Sequence, residues 1–254
     1  MKNNCFIPFT SSNVIALIPD QLNDPFGSVT PEICKIAAAE VQDFIQKNQH
    51  TWQHNFGFGK AKAGPIKGKM FGILVVETTD KKIGYLCTFS GKMLDEPHPS
   101  EFVPSLFDIS TNDYFITRGM TDLTRIGNEI KRLKTINTST SCSKIEQLEK
   151  ERKEKSILLQ EELFSHYHFL NKAGKSKSLH AIFKDYSNKK PAAGAGECAA
   201  PKLLQYAYER KMKPLAIAEF WWGESTKSQD RNHGEYYPAC HDKCRPILGY
   251  MLNE

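Results

Sequence analysis

The sequence contains no long hydrophobic run. None of its apolar stretches approaches the roughly 18–20 residues that a membrane-crossing helix requires. The amino-terminal MKNNCFIPFTSSNVIALIP has one lysine and a short apolar patch broken by Thr10, Ser11, Ser12 and Asn13. It therefore lacks the n-region and h-region of a secretory signal, and a cytoplasmic protein with no membrane partner is the expectation. A phosphate-cradling loop is missing as well. Gly59 and Gly64 have the first spacing of G-x-x-x-x-G-K-[ST], but Pro65 stands where the lysine belongs. Without that lysine and hydroxyl in register no nucleotide site follows, and HNFGFGKAKAGPIKGKMFG reads as a basic loop. Finally, the seven cysteines are odd in number and mostly irregular in spacing. That pattern, with no secretory signal, argues against a disulfide framework in a reducing cytosol. Cys5, Cys34, Cys87 and Cys142 read as single thiols.

What is present is the balance of a globular chain of 254 residues, 40% hydrophobic and 25% charged, with a net charge of +5. That length can bury a self-sustaining core. The mild positive charge is compatible with nucleic acid without demanding it. Thr30 and Pro31 mark a helix start. Ile33, Ile36, Ala37, Val41, Phe44 and Ile45 then recur at helical spacing. Phe71–Glu77 and Ile83–Phe89 read as two strands of a hairpin joined by TTDKK. Ile73, Leu74, Val75 and Val76 form the continuous apolar run of a strand covered on both faces. Prolines 97, 99 and 104 keep the next segment extended or irregular.

Residues 118–190 differ, with 16 Lys/Arg against 9 Asp/Glu. Leu123, Ile126, Ile130 and Leu133 trace one helical seam. Ile145 and Leu148 begin another, continued loosely by Leu159, Leu163, Tyr167 and Leu170. Two helices joined at Asn137–Ser143 would make a projecting αα-hairpin or short coiled coil. The run EKERKEK reads chiefly as its solvated face. The lysine excess makes RNA a partner to test, with Lys131, Arg132 and Lys134 as the first contacts. The chain thus reads as an α/β protein, a small mixed sheet flanked by helices. Residues 1–117 form its helix and β-hairpin half, 118–178 the basic insertion, and 179–254 a helix–strand–helix half.

The chemistry gathers in that last part. Cys198 precedes the helical APKLLQYAYERK, KPLAIAEFWWG is a buried strand, and EYYPACHDKCRPIL places Cys240 and Cys244 four residues apart, on one helix face. If the two helix starts approach each other, three thiolates with His233, His241 or a water would satisfy a tetrahedral structural zinc. Helix starts also favour thiolate charge. The alternatives are reduced core thiols, or a nucleophilic Cys198 with His180 or His233 as base. The layout resembles the zinc deaminase fold, in which one ligand opens a helix and a cysteine pair opens the next. It departs from that pattern twice. The pair is C-x-x-x-C, and Ala200 stands where deamination needs a glutamate. Among the aromatics near the loop, Trp222 is the first to test as a stacking surface for unpaired RNA bases.

Taken together, WQHNFGFG, GKMFGILVVE, GYLCTFSGKM, FVPSLFDI, GECAAPKLLQYAYERKMKPLAIAEFWWG and YYPACHDKCRPILGYML are similar to the amino-terminal region of long-form RluA-type RNA pseudouridine synthases, from about Phe26 to Leu252. The resemblance implies an RNA-associated accessory domain. It also implies structured ribosomal or transfer RNA as partner, and a separate pseudouridine synthase catalytic domain acting beside it. The aspartate motif H-R-L-D-x-x-T-S-G of that family does not occur, since neither MLDEP nor MTDLTR matches it. The resemblance therefore transfers no catalytic residue.

Overall fold

The computed structural model describes residues 4–10, 12–58, 64–91, 93, 99–106, 114–136, 139–226, 228 and 230–253. The centre of the basic loop (59–63) and most of 92–98 and 107–113 lie outside the described residues. Short β1 (Ile7–Pro8) and a 3-10 turn (Ser12–Leu17) lead to helix α1 (Glu32–Asn48). Pro31 sits just outside the helix, one position earlier than the sequence suggests, with φ −58° and ψ 141°. Strands β2 (Lys69–Glu77) and β3 (Ile83–Phe89) follow, then α2 (Tyr114–Ile136) and α3 (Ser139–Ser165). The last third holds β4 (His168–Leu170), β5 (Ser176–Ser178), α4 (Leu179–Ser187), α5 (Ala199–Glu209), β6 (Lys213–Trp222), β7 (Tyr236–Tyr237) and α6 (His241–Leu252). No helix among the described residues is long and apolar enough to cross a membrane.

The main sheet has the order β1-β3-β2-β6-β7, and each neighbouring pair is antiparallel. The expected mixed sheet is thereby corrected. β3 and β6 run in the same direction, but β2 lies between them, so they do not pair. The parallel contact that does exist is an isolated bridge from Cys87 to Phe102.

The sheet is covered on both faces, as the apolar run in β2 predicts. Ile73 and Val75 turn toward α1 and join Ile33, Ala37, Val41, Ile45 and Phe220. Leu74 and Val76 turn the other way and join Leu203, Ala207, Ile247 and Leu248 of α5 and α6. All four β2 residues are fully buried. Each such aliphatic side chain contributes about 1.5–3 kcal/mol relative to exposure.

Helices α2 and α3 lie antiparallel, with Gly119 against Leu159 and Lys134 against Glu149. Their private apolar cluster is Ile126, Ile130 and Leu148, flanked by Leu133 and Ile145. The sequence seam is therefore correct over this stretch. It fails beyond Ser165, where α3 stops. Tyr167 and Leu170 belong instead to the turn and to the β4–β5 hairpin, and Tyr167 is buried in the main core.

Candidate metal centre

Two helix starts converge beneath the sheet. Cys198 is the N-cap of α5 and Cys240 the N-cap of α6, both with extended backbones. Cys244 lies one turn into α6, and Pro246 follows without ending the helix. The sulfurs of Cys198 and Cys240 are 3.8 Å apart, and those of Cys240 and Cys244 are 3.3 Å apart. All three ligand atoms fall within 4.8 Å of one another.

Glycine makes the approach of α5 feasible. A Cβ on Gly72 would lie 2.7 Å from the Ala199 Cβ and 3.0 Å from Leu203. A side chain at residue 72 would push the start of α5, and Cys198 with it, off the sheet.

The three thiols share charge unequally. Cys240 is pulled well down, first by its hydrogen bonds with the Cys198 and Cys244 thiols and further by the backbone N–H groups of Lys243 and Cys244. Cys198 and Cys244 are pushed up, chiefly by the hydrogen bonds that hold their protons within the trio. We place the anion on Cys240, the member bonded to helix-start amides. A raised Cys198 thiol does not suit a nucleophile. Neither expected base attends it: His180 faces Glu161 at 3.4 Å and packs on Phe164.

The donor set fits a soft, tetrahedral cation. Zinc–thiolate bonds of about 2.3 Å place neighbouring sulfurs roughly 3.8 Å apart, so the Cys198–Cys240 spacing of 3.8 Å already matches and the Cys240 and Cys244 sulfurs, 3.3 Å apart, would have to separate. Neither expected histidine joins the group. His233 Nδ1 accepts from the Gly223 N–H at 3.3 Å, its pKa is lowered by burial, and its ring packs edge-on against Trp222 and Phe58. His241 Nδ1 is 3.0 Å from Arg245, and its ring packs on Phe26. Among the described residues the group is Cys198, Cys240 and Cys244 alone.

Buried ionisable groups surround the trio. Glu219 of β6 is 7% exposed, and its Oε1 accepts the Ala200 N–H at 3.0 Å. Burial lifts its carboxyl to about 7, against the pull of that hydrogen bond. Lys202, one turn into α5, is 1% exposed and donates to the Phe89 carbonyl. Burial lowers its ammonium to about 8, while Glu197, Cys198 and Glu219 hold it up. Glu197 accepts from the Tyr167 hydroxyl through Oε1, and its buried Oε2 has no partner among the described residues. Charged groups are rarely interred without a task or a counter-ion. The sequence offered one signal for Glu219, a lone carboxylate in an apolar strand. Lys202 and Glu197 gave none.

A cleft opens beside this cluster. It has a volume of about 30 Å³, and its lining includes Ala200, Ile217, Glu219, Tyr236, Tyr237 and Ala239. Residues of a strap over 23–30 complete the lining. Asn23 fastens the strap by pairing its side-chain amide with both backbone groups of Ile217, at 2.8 and 3.0 Å. The Ala239 N–H donates to the Pro25 carbonyl.

The expected RNA contacts are scattered. Trp222 is 5% exposed, and its indole N–H donates to Gln49, which corrects its reading as a stacking surface. Strand alternation turns it toward α1, while the half-buried Trp221 covers Gly68. Arg132 is held by Glu129 at 2.7 and 2.9 Å, and Lys134 by Glu149 at 2.9 Å. Lys131 lines the groove between α2 and α3 together with Arg152 and Lys153. The groove lies on the hairpin, apart from the cysteine centre.

Compared with known proteins, the chain matches no protein-family model, no curated protein and no solved structure.

Proposed function

We propose that the chain is a metal-binding α/β domain in which Cys198, Cys240 and Cys244 hold one zinc ion. The observation that carries this reading is the meeting of three sulfurs at two helix starts within 4.8 Å. Three thiolates select soft or borderline cations over magnesium and calcium. The ion would also offset the carboxylates of the partly buried Glu197 and the buried Glu219. A zinc site of this kind joins α5 to α6 across the sheet, so its binding free energy becomes folding free energy. The layout of helix, strand and cysteine-bearing helix makes a deaminase-like ancestry part of the proposal. Competition titration against a chromophoric chelator tests the ion directly. One zinc per chain is expected, with affinity falling by orders of magnitude in Cys198→Ser and Cys240→Ser. Equal weak binding in all three proteins overturns the reading.

A second reading concerns the partner. The resemblance to the accessory region of RluA-type pseudouridine synthases supports association with structured RNA, alongside a separate catalytic domain. The groove bearing Lys131, Arg152 and Lys153 is the surface that favours it. Binding of transfer or ribosomal RNA fragments should weaken steeply with salt. Lys131→Glu should weaken it more than Lys134→Glu, because Lys134 is already engaged by Glu149. Salt-independent binding, or none, removes this reading and leaves the metal centre untouched.

A further inference from the structure

Two of the three clustered sulfurs belong to residues that solvent reaches, and the third does not. Cys198 and Cys240 are partly exposed, whereas Cys244 is 1% exposed. Cys240 is the common neighbour, with Cys244 at 3.3 Å and Cys198 at 3.8 Å. An oxidant can join thiols held this close, and backbone geometry decides which pair closes. Cys240 and Cys244 are four residues apart at the start of one helix, and Cβ atoms so placed lie about 5–6 Å apart. A disulfide needs its Cβ atoms at about 3.5–4.5 Å. The Cys244 N–H already donates to the Cys240 carbonyl at 3.2 Å, so closing that pair would unwind the first turn of α6. Cys198 and Cys240 carry no such constraint. They lie on different helices, and each is an N-cap with an extended backbone (ψ 158° and 142°), outside the regular turns.

We propose that Cys198 and Cys240 are a redox modification site, at which a hydroperoxide closes a reversible disulfide and the metal is released. The sulfurs that are farther apart close, and the nearer pair does not. The pairing rests on the geometry of the thiols alone, while the release of metal rests on the zinc reading above. Once Cys198 and Cys240 are joined, Cys244 is left as a single thiol, too few donors for a zinc site of this kind. The new bond spans the same two helix starts as the ion. The starts of α5 and α6 therefore stay joined when the metal leaves, and oxidation exchanges one link for another. The remaining cysteines do not compete in the same way. Cys5, Cys34 and Cys87 are buried, and Cys142 is exposed on the α2–α3 hairpin.

Hydrogen peroxide serves as the simplest oxidant of this class. The Cys240 sulfur attacks one peroxide oxygen, so that an S–O bond forms, the O–O bond breaks and hydroxide leaves. The Cys198 sulfur then attacks the Cys240 sulfur, so that the S–S bond forms, the S–O bond breaks and a second hydroxide leaves. Each hydroxide takes up one proton, from the thiols in metal-free protein and from solvent where zinc has already displaced them. The two sulfurs together lose two electrons, and the peroxide gains them as two waters. A dithiol reductant reverses the step and restores the thiols.

Peroxide treatment of reduced full-length protein tests the assignment, with zinc-loaded and metal-free samples of wild type and Cys142→Ser. A chromophoric chelator reports released zinc. Free thiols are then alkylated under denaturing conditions, and unreduced tryptic peptides are identified by mass. Cleavage after Lys202 and Lys243 leaves the three cysteines on separate peptides. The expected product links the Cys198 peptide to the Cys240 peptide, with Cys244 alkylated, in both samples and both proteins. One zinc should be released per link formed, and dithiothreitol with added zinc should restore the starting state. Cys244→Ser should still form the link, whereas Cys198→Ser should leave Cys240 as a sulfenic acid that dimedone traps. A Cys240–Cys244 link, or no link at all, in the wild type overturns the pairing. A link formed while zinc stays bound overturns the release. Protein that takes up no zinc yet forms the link overturns the zinc reading and leaves the pairing in place, so the two failures are distinguishable.

Discussion

Around Cys198, two carboxylates and an ammonium lie buried or partly buried among three thiols. Along α2 and α3, by contrast, charged side chains pair in water. Glu129 with Arg132 and Lys155 with Asp122 are exposed pairs of the kind any solvated helix carries. Such pairs contribute little to stability. The same groups in the interior cost several kcal/mol each unless something offsets them. The contrast separates a surface whose charge needs no further explanation from a core whose charge does. Lys202 has a carbonyl and Glu219 has a helix-start amide, but one Glu197 oxygen has no partner among the described residues. A cation seated on the three sulfurs would offset that negative charge.

The comparison can be broken from either side. The largest expected effect is removal of the metal. A zinc site can contribute on the order of 10 kcal/mol to folding, so excess chelator or Cys240→Ser should sharply lower the melting temperature of zinc-loaded protein. Chelator should then have no further effect on the variant. Next comes Ile126→Ala, which truncates the seam of the hairpin. It should cost about 2–4 kcal/mol, seen as lost hydrogen-exchange protection in α2 and α3, with zinc affinity unchanged. A loss of zinc affinity would show that the two regions are coupled.

A smaller effect distinguishes the regions by pH. In metal-free protein Glu219 titrates near 7, above its unfolded value of 4.5. Between those values the native state holds the extra proton, so stability is greatest at low pH and falls as pH rises through 7. The slope from this group is at most about 1.4 kcal/mol per pH unit. Denaturant melts should show Glu219→Gln losing that share of the slope. An identical pH profile in the variant would mean that the carboxyl is not held as described. The smallest effect is expected at the surface. Arg132→Ala, which frees Glu129, should leave the melting temperature unchanged within error.

Much of this arrangement is legible in the sequence, and the exceptions have physical reasons. The run Ile73–Val76 announces a strand covered on both sides. Ile126, Ile130, Ile145 and Leu148 announce the paired helices, because a 3.6-residue period is a local property. Tyr167 and Leu170 misled because three-residue strands are too short to carry a period. Trp222 misled for a different reason. Its parity with Phe220 already points it inward, and Trp221 is the neighbour left partly exposed. The cysteine trio was legible as spacing around a strand. Its exclusion of His233 and His241 was not, since those rings are claimed by Gly223, Trp222 and Arg245 through tertiary contacts. Glu219 needed the fold most of all. Only the register of β6 against α5 places its carboxylate on the amide of Ala200.

The central claim, that Cys198, Cys240 and Cys244 together hold a tetrahedral metal, is tested most directly by cobalt substitution. Titrating reduced, metal-free protein with cobalt(II) should produce sulfur-to-cobalt charge-transfer bands and intense tetrahedral d–d bands, saturating at one ion per chain. Each single cysteine-to-serine variant should weaken or abolish them. A weak octahedral spectrum without charge transfer in the wild type, or variant spectra as intense as the wild type's, would contradict the account.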